Sequence, residues 1–257
     1  MRSSDPRFWE IDLLRGNAII LMLVFHLLYD LNYLGGYDTG IKDGIELFVG
    51  RSAAVLFIFL IGVSLTLSYS RYAGQHSDQR GACWKYLKRG LYIFSWGLVI
   101  TVATWIFARE GLIMFGVLHL IGISIIIAYP FLKYRYLNLF LGITVLISGM
   151  YLKNIPVDHN WLLWVGLHTR DLYTFDYFPI LPWFGMTLIG IFVGNSLYRQ
   201  HTRCFSIPDM SAHAPIRLLC LMGQRSLLIY LVHQPVIIGL MYLMGLVDPD
   251  HIIFELY

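Results

Sequence analysis

The sequence contains few charged residues and few cysteines, and each shortage argues against a class of protein. Only 14% of its 257 residues are charged, whereas about a quarter of the residues in an ordinary soluble domain carry charge. With 57% hydrophobic residues, the chain is too apolar for such a domain. The three cysteines have no metal-ligand spacing, so the sequence does not predict a metal site. A lipid bilayer is therefore the expected solvent.

Several motifs are also missing. The N-terminal region has no small-residue cleavage pattern after a short apolar core, so we expect the first helix to be retained. The chain has no glycine-rich phosphate loop, so a nucleotide would have to be held by side chains and helix ends. The last hydrophobic segment has no lysine, which excludes a retinal Schiff base. No clear inverted repeat is visible, although many transporters have one.

Long hydrophobic segments dominate the sequence, and seven of them are long enough to cross a bilayer, which takes about 20 residues. We predict spans from Asp12 to Tyr33, Glu46 to Tyr69, Leu87 to Phe107, Leu112 to Leu132, Leu137 to Leu152, Phe178 to Leu197 and Gln224 to Leu246. The shorter apolar stretch from Ile216 to Met222 is interpreted as an interfacial or re-entrant piece. The prediction is an all-α integral membrane protein, with one transmembrane domain of about seven helices over residues 1–257.

Loop charge predicts the orientation of these spans. With the N-terminus inside, twelve Lys and Arg residues face the cytoplasm: Arg2, Arg7, Arg71, Arg80, Lys85, Lys88, Arg89, Lys133, Arg135, Arg199, Arg203 and Arg217. Four face outward: Lys42, Arg109, Lys153 and Arg170. The positive-inside rule therefore predicts a cytoplasmic N-terminus and an external C-terminus. The net charge of +3 follows from this topology and does not indicate nucleic-acid binding.

The first span carries a line of ionisable residues in the stretch DLLRGNAIILMLVFHLLYD. Eleven residues advance a helix by three turns plus about 20°, so Arg15 and His26 share one face, about 16 Å apart along the axis. Asp12 and Asp30 fall within roughly 60° of the same line. Such groups cost a few kcal/mol each inside a membrane, so they normally face a protein interior or a wet cavity. The alternative is structural, with Asp12 and Arg15 paired near the interface and His26 hydrogen-bonded in the packing.

Other spans offer partners at similar depths. Arg51 lies on the second span, His119 on the fourth, and Ser226 and His233 on the seventh. One polar chamber inside the membrane would explain all of them together. Separate helix-packing contacts would explain each of them singly.

Four sequence blocks carry a resemblance to a known family. The spacing from Arg15 to His26 is similar to the Arg-x10-His signature of the membrane acyltransferases of family 3. The blocks EIDLLRGNAIILMLVFHLLYDL, FGVLHLIGIS, DYFPILPWFGMTLIGIFVG and GQRSLLIYLVHQP resemble, in order, those of the heparan-alpha-glucosaminide N-acetyltransferase catalytic-domain family in its short prokaryotic form. The resemblance covers about Arg7 to Pro235.

This resemblance implies an integral-membrane enzyme of a prokaryotic cytoplasmic membrane. It implies transfer of an acetyl or other acyl group from cytoplasmic acetyl-CoA or a similar acyl-CoA to an amine or hydroxyl of a sugar. The long family members have more spans and a lumenal domain, so we do not carry heparan over as the substrate. A cell-envelope sugar, or an amino sugar entering the cell, is the expected acceptor.

The catalytic prediction centres on His26. An imidazole with a pKa near neutrality is suited to take the proton from the attacking hydroxyl or amine. Alternatively, His26 carries the acyl group covalently. Asp30, one turn further along, is predicted to orient the His26 ring through a hydrogen bond. His119 is the competing catalytic imidazole.

The remaining predictions concern binding. A grip on the coenzyme A phosphates is expected near the cytoplasmic rim, since a guanidinium binds a diphosphate with two parallel hydrogen bonds. The predicted cofactor-binding residues are Arg15, Arg51, Gln224, Arg225, Ser226 and His233. The predicted residues on the side of the sugar acceptor are Asp176, Tyr177 and Trp183.

Two further alternatives stay open at the level of sequence. A transporter or proton-coupled permease would use the same buried charges as a pathway. Gly190 and Gly194 form a small-residue face for close helix packing, either within the protomer or in a homodimer.

Overall fold

The computed structural model describes residues 7–37, 44–76, 78–155, 157–199 and 201–247, and these are mostly helical. The α-helices in this part are α1 (Trp9–Tyr33), α2 (Ile45–Gln75), α3 (Gln79–Phe107), α4 (Val117–Ala128), α5 (Arg135–Leu152), α6 (Ile180–Leu197), α7 (Ala214–Gln224) and α8 (Ser226–Leu243). Short 3-10 turns cover Arg109–Gly111 and Tyr129–Phe131. A two-residue hairpin, β1 (Tyr198–Arg199) and β2 (Thr202–Arg203), follows α6.

Six of these helices are long and apolar enough to cross a membrane. They are α1, the Leu47–Gln75 part of α2, α3, α5, α6 and α8, and each matches a predicted span. Large apolar side chains on α3, such as Leu98, Val99 and Val102, are about half exposed. This exposure suits a surface that faces lipid, because lipid tails are as apolar as these side chains. The prediction of an all-α multi-pass membrane protein is confirmed.

The fourth predicted span, Leu112 to Leu132, differs from the structure. Its α-helix begins only at Val117, ends at Ala128 and runs into a 3-10 turn, so it is shorter than the other spans. The preceding residues are held by contacts outside the helix. The hydroxyl of Thr104 accepts a hydrogen bond from the Ile113 N–H, and the hydroxyl of Thr101 donates one to the Ile113 carbonyl.

The last predicted span also begins later than expected. Gln224 ends α7, the backbone breaks at Arg225 (φ −104°, ψ 20°), and α8 starts at Ser226. The apolar stretch predicted as an interfacial piece is therefore the helix α7, which packs against α1. A Cβ atom at Gly16 would collide with the carbonyl of Leu219, and one at Gly223 would collide with the carbonyl of Asp12. Glycine allows this close approach because it has no side chain.

Close contacts divide the chain into two compact units, and α2 contributes to both. Among the described residues, the first unit comprises 7–57 and 207–247, and the second comprises 58–206. In the second unit, Gly190 of α6 lies against the Phe59 carbonyl and Gly194 lies against Thr66, both on α2. The small-residue face is thus used inside the protomer. The prediction of one domain over the whole chain stays a prediction.

Candidate functional site

The charged residues near the start of α1 form a local contact in the first unit. Arg15 Nη1 lies 3.2 Å from Asp12 Oδ1, and Gln224 Nε2 donates to Asp12 Oδ2 at 3.0 Å. Asp12 is buried, so these donors satisfy a carboxylate that links α1 to α7. These contacts are the ones that the structural alternative describes, in which Asp12 and Arg15 pair near the interface. A role of Arg15 and Gln224 in phosphate binding stays a prediction.

Further along α1, His26 meets a second histidine from α8. The ring centroids of His26 and His233 are 4.7 Å apart, with an angle of 61° between the ring planes. His233 is only 8% exposed. The sequence predicted each residue in a polar chamber, and the structure brings these two imidazoles into direct contact.

The hydrogen bonding of His233 determines which of its nitrogens can accept a proton. Its Nδ1 lies 2.6 Å from the backbone carbonyl oxygen of Tyr230. A carbonyl oxygen can only accept, so Nδ1 carries the hydrogen, and in the neutral ring Nε2 carries the lone pair. Nε2 is buried and has no hydrogen-bond partner in the part of the chain that the structure describes. His233 therefore presents a basic nitrogen beside His26.

Asp30 is bound by a different residue from the one predicted. Gln234 Nε2 donates to both Asp30 oxygens, each at 2.9 Å, and Asp30 is 2% exposed. Among the described residues, no hydrogen bond joins Asp30 to His26. The predicted orienting contact is replaced because the short Asp30 side chain meets the amide of α8. The sequence places Gln234 beside the polar face of this span, directly after His233, but does not predict it as a site residue.

The other predicted cofactor residues of the first unit lie elsewhere. Arg51 and Arg225 are exposed, and Ser226 begins α8 half-buried. Within the described ranges, no ion pair or hydrogen bond joins these three residues to His26 or Asp30. Their roles in coenzyme A binding stay predictions.

His119 belongs to the second unit, where both of its nitrogens have partners. Nδ1 accepts the Gly116 N–H at 3.2 Å, and Nε2 lies 3.4 Å from the hydroxyl oxygen of Thr101. Because Nδ1 accepts, the neutral ring carries its hydrogen on Nε2. The ring is 2% exposed and packs between Phe94 and Phe115. These contacts fit a residue that caps the start of α4, and they leave no nitrogen ready to take a proton.

Asp176 also contacts the start of α4. Its Oδ2 accepts the Val117 N–H at 2.9 Å, at the first residue of the helix. A carboxylate is favourable there because the N-terminal end of a helix carries a partial positive charge. Its predicted contact with a sugar acceptor stays a prediction.

Tyr177 and Trp183 are placed by packing in the same unit. The Tyr177 hydroxyl donates to the Leu163 carbonyl at 2.8 Å, and burial raises the pKa of this hydroxyl to about 12. The Trp183 ring lies 4.7 Å from the ring of Phe178. Sugar binding by Tyr177 and Trp183 remains untested by these contacts.

Of the two histidine environments, only that of the first unit offers an imidazole nitrogen able to receive a proton. Within the ranges that the structure describes, no group of three or more His, Cys, Asp or Glu side chains could hold a metal ion. An imidazole pair such as His26 and His233 is suited to proton transfer or to nucleophilic attack.

Comparison with known protein families gives a match. The model of the family described as heparan-alpha-glucosaminide N-acetyltransferase, catalytic, matches residues 7–235. This match includes α1 and the part of α8 that carries His233. Comparison with curated proteins and with solved structures gives no match.

Proposed function

The chain belongs to the heparan-alpha-glucosaminide N-acetyltransferase catalytic family, and we propose that it transfers an acetyl group from acetyl-CoA to an amine or hydroxyl of a sugar. Family membership and the six apolar helices make it a multi-pass membrane acetyltransferase. The proposal adds the donor, the acceptor class and the reacting residues.

The observation that carries the proposal is the contact between half-buried His26 and buried His233. In the reaction, the acceptor oxygen or nitrogen forms a bond to the acetyl carbon while the bond from that carbon to sulfur breaks. The acceptor loses a proton, and the thiolate of coenzyme A gains one. An imidazole can take the first proton and deliver the second. We assign this work to His26, with His233 Nε2 as the neighbouring acceptor of protons.

His26 has two ways to act in this scheme. It takes the proton directly, or it carries the acetyl group on a ring nitrogen between two half-reactions. In the second case, His233 Nε2 is the base that remains to deprotonate the sugar. The bond from Gln234 to Asp30 supports either route, because it ties α1 to α8 one turn beyond His26 and one residue beyond His233.

The donor and the acceptor follow from the family resemblance and the predicted topology. We propose that acetyl-CoA is bound from the cytoplasm of a prokaryotic cell, and that the acceptor is a cell-envelope sugar or an amino sugar. The proposed donor residues are Arg15, Arg51, Gln224, Arg225 and Ser226. The proposed acceptor residues are Asp176, Tyr177 and Trp183.

The test is acetyl transfer by the purified full chain in lipid nanodiscs. The protein is mixed with radiolabelled acetyl-CoA and glucosamine, and the labelled sugar and free coenzyme A are separated by chromatography. Chromatography is preferred to thiol reagents because Cys83 and Cys204 are exposed and would react with them. We expect labelled product from the wild type. His26→Ala should lose about a hundredfold or more of the rate.

His213→Ala is the matched control, since His213 is exposed and precedes α7. Its rate should equal that of the wild type. Absence of transfer to any amino or hydroxyl sugar, combined with sugar-driven proton uptake into liposomes, would replace the enzyme by the transporter alternative. Full activity of His26→Ala would remove this residue from the chemistry.

A further inference from the structure

Positive side chains gather at one end of the second unit. Nine Lys and Arg residues of this unit lie in or beside the connections predicted to face the cytoplasm: Arg71, Arg80, Lys85, Lys88, Arg89, Lys133, Arg135, Arg199 and Arg203. The connection between α6 and α7 also contains Asp209, in the part that belongs to the first unit; among the described residues of these connections within the second unit, the one carboxylate is that of Asp78. Both of its oxygens are used at the start of α3, where they accept the Arg80 and Gly81 N–H groups at 2.9 Å.

One of these residues, Arg199, lines a cleft. It has a volume of about 480 Å³ and is lined by Ser70, Asn195, Tyr198 and Arg199. These residues come from the end of α2, the end of α6 and the hairpin that follows α6. Arg199 is exposed, and Ser70 and Asn195 have neutral polar side chains with hydrogen-bond donors, although Asn195 Nδ2 already donates one bond to the Leu132 carbonyl at 3.1 Å. The volume is within the usual range of small-molecule sites.

A second guanidinium is held next to this cleft. Arg71 directly follows Ser70, and its Nη2 lies 3.1 Å from His201 Nε2. A guanidinium only donates, so His201 accepts and is neutral at this nitrogen. His201 has a φ of 60°, which is uncommon for a residue with a side chain. The hairpin turn thus places an imidazole that fixes the position of Arg71.

Further positive charge is close to Arg71. One such charge is the Lys85 ammonium group. That ammonium group lies 4.9 Å from the ring centre of Tyr72, the residue after Arg71. Topology explains why this end of the chain has many cations. Of these cations, Arg199 lines the cleft and Arg71 contacts the hairpin that carries Arg199, so a bound anion there would offset both charges.

We propose that the cleft of Ser70, Asn195, Tyr198 and Arg199 binds phosphate, with Arg71 beside it as a second cation. Guanidinium groups bind phosphate oxygens with paired, charge-assisted hydrogen bonds. Two sources carry this chemistry: the 3′-phosphate and diphosphate of coenzyme A, and the headgroup of an anionic lipid. With coenzyme A, this cleft takes the place of the proposed donor residues of the first unit as the phosphate site. The coenzyme A source rests on the proposed function, whereas binding of phosphate itself does not.

The experiment measures binding of 3′,5′-ADP, the nucleotide end of coenzyme A, to the full chain. The protein is placed in nanodiscs of phosphatidylcholine alone or of phosphatidylcholine with phosphatidylglycerol. Arg199→Ala removes a charge from the cleft. Lys133→Ala is the control, because Lys133 is exposed, carries the same charge and does not line the cleft.

If coenzyme A is the source of the bound phosphate, we expect 3′,5′-ADP to bind to the protein in phosphatidylcholine discs and inorganic phosphate to compete with it. Arg199→Ala should weaken this binding by about tenfold to a hundredfold, and Lys133→Ala should leave it unchanged. If an anionic lipid is the source, 3′,5′-ADP should not bind. Arg199→Ala should then retain less phosphatidylglycerol through purification than Lys133→Ala does.

Equal binding of 3′,5′-ADP, phosphate and phosphatidylglycerol by Arg199→Ala and Lys133→Ala would overturn the proposal. The result is independent of the proposed function, because binding is measured without acetyl transfer. If the wild type transfers no acetyl group but binds 3′,5′-ADP through Arg199, the proposed function is contradicted and the proposed phosphate-binding cleft is supported. An Arg199→Ala enzyme with an unchanged KM for acetyl-CoA would exclude the coenzyme A source.

Discussion

Replacement of Gln234 by leucine tests the contact that joins α1 to α8 beside the histidine pair. The side chains are similar in size, but leucine cannot donate to Asp30, whose two oxygens both lie 2.9 Å from Gln234 Nε2. Asp30 is 2% exposed, so little water can replace the lost donor. The substitution therefore leaves a buried carboxylate without this partner.

The size of the effect follows from two comparisons. Hydrogen bonds between membrane helices couple by about 0.6 kcal/mol on average and by about 1.7 kcal/mol at most. Bonds to a charged group are roughly twice as strong as neutral ones. Because one nitrogen serves both oxygens, we count a single donor group and expect a coupling free energy of about 1–2 kcal/mol between Gln234 and Asp30.

A double-mutant cycle measures this coupling. The proteins are the wild type, Gln234→Leu, Asp30→Leu and the double variant, and each is unfolded reversibly by SDS in mixed micelles. Val236→Leu is the control, because Val236 is 52% exposed on the same helix. It should change the free energy of unfolding by less than about 0.5 kcal/mol. A coupling near zero, within about 0.3 kcal/mol, would refute the argument that this bond holds the two helices together.

Three other predictions concern stability. Gly16→Val should destabilise the fold by about 1–3 kcal/mol, because the valine Cβ would meet the Leu219 carbonyl. The control is Gly239→Ala, whose Cβ would meet no atom within 4 Å. It should be neutral or slightly stabilising in the same SDS assay. Asp176→Ala should cost about 1 kcal/mol through loss of the bond to the first N–H of α4, and an unchanged unfolding midpoint would contradict that role. Burial raises the pKa of Tyr177 to about 12, above the value of about 10 in an unfolded chain, so its stabilising contribution is complete below pH 10 and is lost as the pH rises towards 12. Tyr177→Phe should therefore have a smaller loss of stability than the wild type between pH 10 and 12, and parallel curves would show that the hydroxyl does not titrate as described.

The helices could be predicted because a bilayer demands long apolar runs. Six predicted spans match helices of sufficient length, and the separate apolar stretch before the last span is the short helix α7. The start of α4 could not be predicted, because Ile113 is held by hydroxyl groups of α3 rather than by its own periodicity. Hydropathy also does not distinguish Gln224 at the end of one helix from Ser226 at the start of the next.

The candidate site was predictable in part. Helical spacing placed Arg15, His26 and Asp30 along α1, and the structure has one continuous helix there. The partners of these residues depend on contacts between helices, which spacing along one helix does not contain. For this reason the bond from Gln234 to Asp30 and the packing of His233 against His26 emerge only in three dimensions. The environment of His119 could not be predicted for the same reason, because Thr101 and Phe94 contact its ring from another helix.

The central claim is that the His26–His233 pair carries out acetyl transfer, and single-turnover transfer by variants of His233 tests it most directly. Asparagine at 233 can still donate to the Tyr230 carbonyl, as Nδ1 does, but it has no nitrogen at the position of Nε2. We expect His233→Asn to transfer acetyl about a hundredfold more slowly or worse, and to recover part of its rate with added imidazole. Transfer at the wild-type rate by both His233→Asn and His26→Ala would contradict the account.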